Sequence, residues 1–480
     1  MQTYTPMTEP LLKAMQARGL FVETHVHFPG LFTPELTLSL GIKNGWVHGH
    51  TGEVLRPFAH PKNPYKHYSE LFLAGADGKG ALVKDGMVAK DLRYNLDPRN
   101  YPDLKIAFDI FDRVYAFTHS HRFGEGAVMQ AEDVAAVMAS YLGQCREQGL
   151  RHTEVQFNFT MADHVFRDSG LKTPEARQHA LCELLAVVVE EYAKHDVNLA
   201  FLHCFNKTVI SGIGDDLEER TVRAADLVLR LNRDFPFVVG IQSAGNEDMY
   251  DVEKLKRGYD MVRAAGLESG AHAGEGRGGP HVMKVLDTLQ LSNLGHGFRA
   301  IELDEAIAAV REAGMVLHQC PIVNRALESK LKYDSQSGKP HAEGEKRNIG
   351  EVYNHPFFEL LRSHGVRVNI CSDNPGFFGS YEEEVRAMTG MSVAFPKHVK
   401  PLSFEELVIT TLNGVMASAM KEKDKLRFAN DLNKFVVAWQ DIQQMPTGID
   451  YGDHPLLERA RAERMNGGGK AGGGAAAIRR

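Results

Sequence analysis

The chain has 480 residues, 43% of them hydrophobic, which is enough to bury one large core. Its formal net charge of -7 excludes the broad basic field that a polynucleotide partner requires, and no stretch is apolar for long enough to span a bilayer. Five cysteines without paired spacing (Cys145, Cys182, Cys204, Cys320, Cys371) and an amino terminus lacking a signal-peptide core lead to an expectation of reduced thiols and a cytoplasmic location.

Leu20–Thr24 is the first of eight apolar strand candidates and leads into His25-Val26-His27. Alternate residues of a strand face one side, so both imidazoles can reach a single ion. The next interval is too long for one crossover helix. Residues 44–100, rich in Gly, Pro, His and Tyr, read as an insertion, followed by helices near Tyr101–Phe117 and Glu132–Gly149. Strands over Thr153–Phe159 and Asn198–Cys204 enclose a helix over Thr173–Lys194, whose Pro174 suits a first turn. A helix over Leu217–Arg233 precedes a strand at Phe237–Ser243, which continues into Ala244-Gly245-Asn246-Glu247.

A helix over Val252–Ala265 leads to the strand Glu268–Ala271 and to His272-Ala273-Gly274-Glu275, where small residues let a ligand approach the backbone. Pro280 then opens a helix. Leu291–Gly295 ends in Gly295-His296-Gly297, which reads equally as a close ligand approach or a turn histidine. After a helix over Asp304–Ala313 and a strand over Met315–Cys320, residues 325–352 form a second, highly charged insertion. It serves either as a lid or partner contact or as solvated decoration, with Lys330, Lys332, Lys346 and Arg347 available to an anionic group. Arg367–Ser372 is the eighth strand and meets Asp373-Asn374-Pro375, a liganding aspartate or a tight turn, with Pro375 ending the run. A long helix over Lys421–Gln444 buries Phe435-Val436-Val437, and residues 465–480 form a flexible Gly/Ala-rich tail.

Strands alternating with helices predict an α/β fold, a (β/α)8 TIM-type barrel with insertions after strands one and seven and extra C-terminal helices, forming one catalytic domain over residues 1–464. Each motif follows a strand, so its polar residues emerge at the carboxyl end of the barrel. A hydrolytic zinc ion takes neutral imidazoles and a carboxylate and keeps one position open. His25, His27, His272 and Asp373 supply such a set, and Glu275, three residues beyond His272, can act beside the metal without binding it.

Taken together, the four motifs resemble the adenosine deaminase family of the amidohydrolase superfamily, discontinuously from about Phe21 to Ser418, with further echoes in Glu154-Val155-Gln156-Phe157, Cys320-Pro321 and His355-Pro356. The resemblance implies that His25, His27, His272 and Asp373 hold one Zn2+ per chain. It also implies that Glu275 protonates the ring nitrogen beside the attacked carbon, that His296 orients the attacking hydroxide, and that Gly245 holds the purine edge through its backbone. Three positions depart from the family pattern. Pro29 stands where an acid commonly contacts the sugar hydroxyl, and Asn246 replaces an acid beside Gly245. Asn374 replaces the aspartate that meets the far ring nitrogen, and its amide can donate there without prior protonation.

The expected activity is zinc-dependent hydrolytic deamination of adenosine or a closely related aminopurine nucleoside, releasing ammonia and giving the 6-oxo product. The partner is then a small molecule, with no nucleic acid polymer and no membrane, and the insertions offer a route to oligomers. Pro29 and the insertions motivate an alternative, deamination of another amino-heterocycle or of a 5′-modified adenosine. A non-catalytic barrel used for binding or assembly is the third reading. The cytidine-deaminase pattern, His-x-Glu with a later Pro-Cys-x-x-Cys, is absent. So is a lysine within 242–247, which a two-metal site bridged by a modified lysine needs.

Overall fold

The computed structural model describes residues 4–45, 47–51, 53, 72–75, 77–84, 87–94, 130–208, 216–326, 330–331, 333–334, 339–340, 347–348, 351–443 and 454–467. Eight parallel strands form one sheet: β1 (Phe21–His27), β2 (Leu150–Phe157), β3 (Asn198–Asn206), β4 (Val238–Ala244), β5 (Glu268–Ala273), β6 (Asn293–His296), β7 (Val316–Gln319) and β8 (Arg367–Ile370). Each pairs with its neighbour in chain order, and a parallel bridge between Val26 and Asp373 brings the last strand back to the first. Two backbone hydrogen bonds make that closure, from His27 N to Asp373 O at 2.7 Å and from Asp373 N to His25 O at 3.0 Å. The fold is the (β/α)8 barrel expected from the strand and helix alternation, and the seam of the barrel runs through two of its motifs.

The helices between the strands begin where the sequence supplies caps. Thr173 accepts from Ala176 N ahead of the helix Pro174–Lys194, and Asp216 accepts from Glu218 N ahead of Leu217–Asp234. In the latter, Leu217, Thr221, Ala224, Ala225, Val228 and Leu231 are buried. These lie at the spacing of one apolar stripe laid against the sheet. Ser403 and Glu406 form a reciprocal capping box at the start of Phe404–Ala417, whose buried face covers β8 and β1.

The insertion after β1 contributes two small antiparallel pairs, Phe72–Ala74 with Leu92–Tyr94 and Val83–Lys84 with Met87–Val88. They share a separate apolar cluster, including Leu38, Val47, Phe72, Leu82, Leu92 and Tyr94, with Phe377 packed against it. The insertion after β7 holds two more pairs, Lys330–Leu331 with Arg347–Asn348 and Tyr333–Asp334 with Lys339–Pro340.

Several boundaries differ from expectation. β1 continues through both histidines to His27, because its closure with Asp373 extends the pairing. The helix over Val252–Ala265 begins as a 3-10 turn, Val252–Leu255, and becomes α-helical at Lys256–Ala264. Among the described residues no strand pairing continues past Asp373, and Pro375 also opens a one-turn helix, Pro375–Phe378, since its fixed φ suits a first helical turn. In the helix Glu422–Gln443, Phe435 and Val436 are buried but Val437 is 45% exposed, because three consecutive residues cannot share one helical face. A further helix, Pro455–Gly467, takes in the first residues of the expected tail. Lys332, Lys346, the helix expected near 101–117 and residues 468–480 lie outside the described residues. Among the described residues no helix is long and apolar enough to cross a membrane.

Candidate active site

At the carboxyl ends of the strands, five motif side chains converge. The His25 and His27 rings, alternate residues of β1, lie 5.4 Å apart between centroids. His272 from β5 lies 4.7 Å from His25 and 5.1 Å from His27. Asp373 Oδ1, just past β8, is 3.2 Å from His27 Nε2 and 3.9 Å from His25 Nε2. His296 from β6 completes the ring, 4.9 Å from His272. Donor atoms of His25, His27 and Asp373, and likewise of His25, His272 and His296, lie within 4.8 Å of one another. A third group of His296, Cys320 and Asp373 meets the same limit. The four expected ligands thus fall into two groups that share His25, with His272 in one and His27 and Asp373 in the other, and Cys320 lies close as well.

The fit of these residues to a cation is tested by their hydrogen bonding. His25 is fully buried, and neither of its ring nitrogens has a hydrogen-bond partner in the structure. Leaving such a group unsatisfied costs about 1–3 kcal/mol, so its lone pair calls for a missing donor or a cation. Burial pushes His25 and His272 well below the ordinary imidazole range and His27 down to about 4. All three are therefore neutral at pH 7, as a metal ligand must be. Burial, with the Glu23 charge adding, pushes the Asp373 carboxyl up to about 8. A cation beside it reverses that penalty. Three neutral imidazoles and a carboxylate suit zinc.

Two of these residues hold backbone conformations that are uncommon outside glycine, His296 at φ +59° and Asp373 at φ +60°. Each costs on the order of 1–3 kcal/mol and persists only where its surroundings over-determine it. Asp373 is fixed by its two seam hydrogen bonds, and the His296 carbonyl accepts from the Gln319 side-chain amide. Glu23, fully buried, accepts from His25 N at 3.1 Å, Ser372 N at 2.9 Å and Ser372 Oγ at 2.7 Å, locking the backbones of both ligand strands.

Glu275 is 5% exposed, with Oε2 3.6 Å from His296 Nε2. Burial first, then the charges of Asp373 and Glu247, raise its carboxyl well above the usual range, while the Lys207 ammonium opposes them. Burial thus favours the neutral form both of this carboxyl and of the His296 imidazole it faces. Its loop is held on two sides. Glu247 accepts from the backbone N–H groups of Glu275, Gly276 and Arg277 at 3.1, 3.2 and 2.6 Å, and Arg299 donates to the Gly276 carbonyl. Lys207 is fully buried, donates to the His272 carbonyl and lies 4.7 Å from the centre of the Tyr250 ring.

Gly245 sits at φ +106°, and a β-carbon there collides with Asn206 Oδ1, so the position requires glycine. Asn246 spends its side-chain oxygen on Asp248 N at 2.9 Å. The nearby buried acid is instead Glu247. Asn374 is buried and donates to Asp373 Oδ1 at 2.9 Å, and Pro29 lies in a 3-10 turn, Phe28–Leu31, that packs against Asn374 through Gly30.

The sequence reading did not assign roles to Lys207, Glu247, Asn324 or Gln319. Glu247 carried a weak signal, an acid two residues past the Gly245 turn. The others carried none, because their partners lie 65, 28 and 23 residues away.

Comparison with known proteins gives the following. The family model described as Adenosine deaminase matches residues 103–336. An adenine deaminase of Mesorhizobium japonicum is 27% identical over 300 residues, covering 62% of this chain and 81% of the relative. The solved adenine deaminase from Arthrobacter aurescens superposes with a TM-score of 0.59 at 19% identity, covering 87% of this chain and 99% of that one. A zinc-bound amidohydrolase from Burkholderia ambifaria gives 0.58 at 16% identity, covering 91% and 98%.

Proposed function

We propose that the chain, which matches the adenosine deaminase family model over residues 103–336, is a divergent member of that family and that it hydrolyses the exocyclic C–N bond of a 6-aminopurine and releases ammonia. The observation that carries this reading is the buried Glu275 carboxyl, raised by burial well above the usual carboxylate range, 3.6 Å from His296 Nε2 at the edge of the candidate ligand cluster. An aminopurine is a poor electrophile until a ring nitrogen is protonated, which is work for a positioned carboxylic acid.

His25, His27, His272 and Asp373 would hold one zinc ion, which when bound supplies a Lewis acid that lowers the pKa of water to about 7. Glu275 gives its proton to the ring nitrogen next to the carbon under attack. The water oxygen bonds to that carbon, and His296 donates from Nε2 to the developing negative charge on the oxygen. One water proton returns to the Glu275 carboxylate and the other passes to the exocyclic nitrogen, so that collapse forms the C=O bond, breaks the C–N bond and expels ammonia. Gly245 offers its backbone to the purine edge, and Asn374 supplies an amide donor toward the far ring nitrogen.

Pro29 has no side-chain acceptor for a sugar hydroxyl, which favours the free base over the nucleoside, and the Mesorhizobium relative is named an adenine deaminase. Adenosine is the second reading, supported by the family motifs. An ammonia-release screen of zinc-loaded protein on adenine, adenosine, AMP and pterins decides between them. Adenine is expected to turn over fastest, and Glu275→Gln to lose about 10²- to 10⁴-fold in kcat. Absence of ammonia from every compound, with metal present, refutes the proposal.

A further inference from the structure

Two short motifs remain unexplained by the reaction itself, Cys320-Pro321 after β7 and His355-Pro356 before the helix Phe357–Arg362. Pro321 opens the helix Pro321–Ala326, which carries Asn324 into the protein interior, fully buried. His355 is also buried. Between them they connect a backbone amide to the ring of His296. Phe357 N lies 3.1 Å from His355 Nδ1, His355 Nε2 lies 3.2 Å from Asn324 Oδ1, and Asn324 Nδ2 lies 3.2 Å from His296 Nδ1.

The direction of this chain follows from its first member. A backbone N–H can only donate, so His355 Nδ1 is the acceptor and the ring proton of neutral His355 sits on Nε2. That proton goes to the Asn324 carbonyl oxygen, which orients the amide so that Nδ2 faces His296. An amide NH2 can only donate, so His296 Nδ1 accepts. Neutral His296 then carries its proton on Nε2, the nitrogen 3.6 Å from Glu275 Oε2 and without a protein hydrogen-bond partner.

We propose that Asn324 and His355 form a one-way hydrogen-bond relay that fixes His296 as the Nε2–H tautomer, making both of them positioning residues for the reaction. The role in turnover rests on the deaminase reading above, whereas the tautomer does not. Without the relay the imidazole could place its proton on Nδ1 and present a lone pair to the reacting oxygen, where a donor is required. The competing account gives Asn324 and His355 a packing role, joining the helix after β7 to the loop before β8.

The test uses zinc-loaded full-length protein. In ¹⁵N-histidine NMR, with His296 assigned by its loss in His296→Gln, the wild type is expected to show a protonated Nε2 and a bare Nδ1. A proton on Nδ1 overturns the relay whatever the variants do. Asn324→Leu and His355→Phe keep similar volumes and remove the hydrogen bonds. Each is expected to lower kcat by about 10–100-fold, with KM moved less than about threefold and zinc content unchanged. The double variant is expected to be little worse than either single one, because one break already disconnects the chain. Full kcat in Asn324→Leu, or losses that multiply in the double variant, assigns these residues to packing. A wild type that releases no ammonia refutes the deaminase reading instead, and the tautomer is still decided by the spectrum.

Discussion

Gly295 stands between the rings of His25 and His272, two of the proposed ligands, and the consequence can be worked from distances. A β-carbon built on it falls 2.6 Å from His25 Cε1 and 2.9 Å from His272 Cδ2, whereas ordinary contact begins near 3.4 Å. Gly295→Ala therefore forces the rings away by about 0.8 Å and about 0.5 Å. The backbone of Gly295 is not in the left-handed region, so alanine adds no conformational strain of its own. His25 is fully buried and has no open side to move into. Ligand distances in a metal site tolerate about 0.2 Å, so the displacement exceeds what the site can absorb. The expected result is zinc affinity weakened by about 10–100-fold, the size of effect seen when ligand orientation is disturbed. Overpacking should also lower stability by about 1–3 kcal/mol. Zinc competition titrations with a chromophoric chelator read the affinity, and ammonia release at saturating zinc reads turnover. An alanine variant that binds zinc as tightly as the wild type would refute the placement of these two histidines on one ion.

Three other outcomes are expected. Removing zinc with a chelator should lower unfolding free energy by about 2.7 kcal/mol relative to protein held at a hundredfold excess over Kd, and coincident urea transitions would exclude a specific site. Glu247→Gln keeps the shape but replaces charge-assisted acceptance from three N–H groups. It should cost about 10–100-fold in kcat with zinc content intact, and an unchanged kcat would remove Glu247 from the support of Glu275. His454 bridges Leu456 N and Asn413 Oδ1 and is held neutral, burial pushing it down to about 4. Between about pH 6.5 and 4 the unfolded chain takes up a proton there that the folded chain does not. The stability advantage of wild type over His454→Ala is thus full at pH 7.5 and should shrink by roughly 1–3 kcal/mol as the pH falls toward 4. Parallel urea midpoints for the two proteins across that range would contradict it.

What was legible in the sequence followed from local chemistry. The spacing of His25 and His27 put two imidazoles on one face of β1 because strand alternation is dictated by the backbone. Gly274 could be read as a close-approach position and Gly245 was singled out through the family resemblance, and both adopt positive φ. Gly295 was visible only as a companion to His296, since its reason, two rings from β1 and β5, lies in the barrel cross-section. The same holds for Lys207, whose strand partner is on β5, and for Asn324, which is meaningless without His355 and His296 beside it. The helix Pro455–Gly467 escaped notice because its charged sequence hides a small buried stripe, Leu456, Leu457 and Ala460.

The departures from the family pattern acquire a common physical setting once the insertion after β1 is placed. Tyr94, on its outer pair, donates from its hydroxyl to the Phe32 carbonyl at 2.9 Å and lies 2.5 Å from Thr37 Oγ1. Its ring meets Phe377, three residues past Asn374, at 4.9 Å between centroids. Gly30 and Gly376 bring the Pro29 turn and the one-turn helix after Asn374 into backbone contact, with no room for a β-carbon at either position. The insertion thus braces the two loops that carry Pro29 and Asn374, while the metal-facing strands beneath them are fixed independently by Glu23 and the β1–β8 seam. On the proposed reading, the residues that would set substrate choice and those that would hold the metal are therefore fixed by separate sets of contacts, so that the first can diverge without disturbing the second.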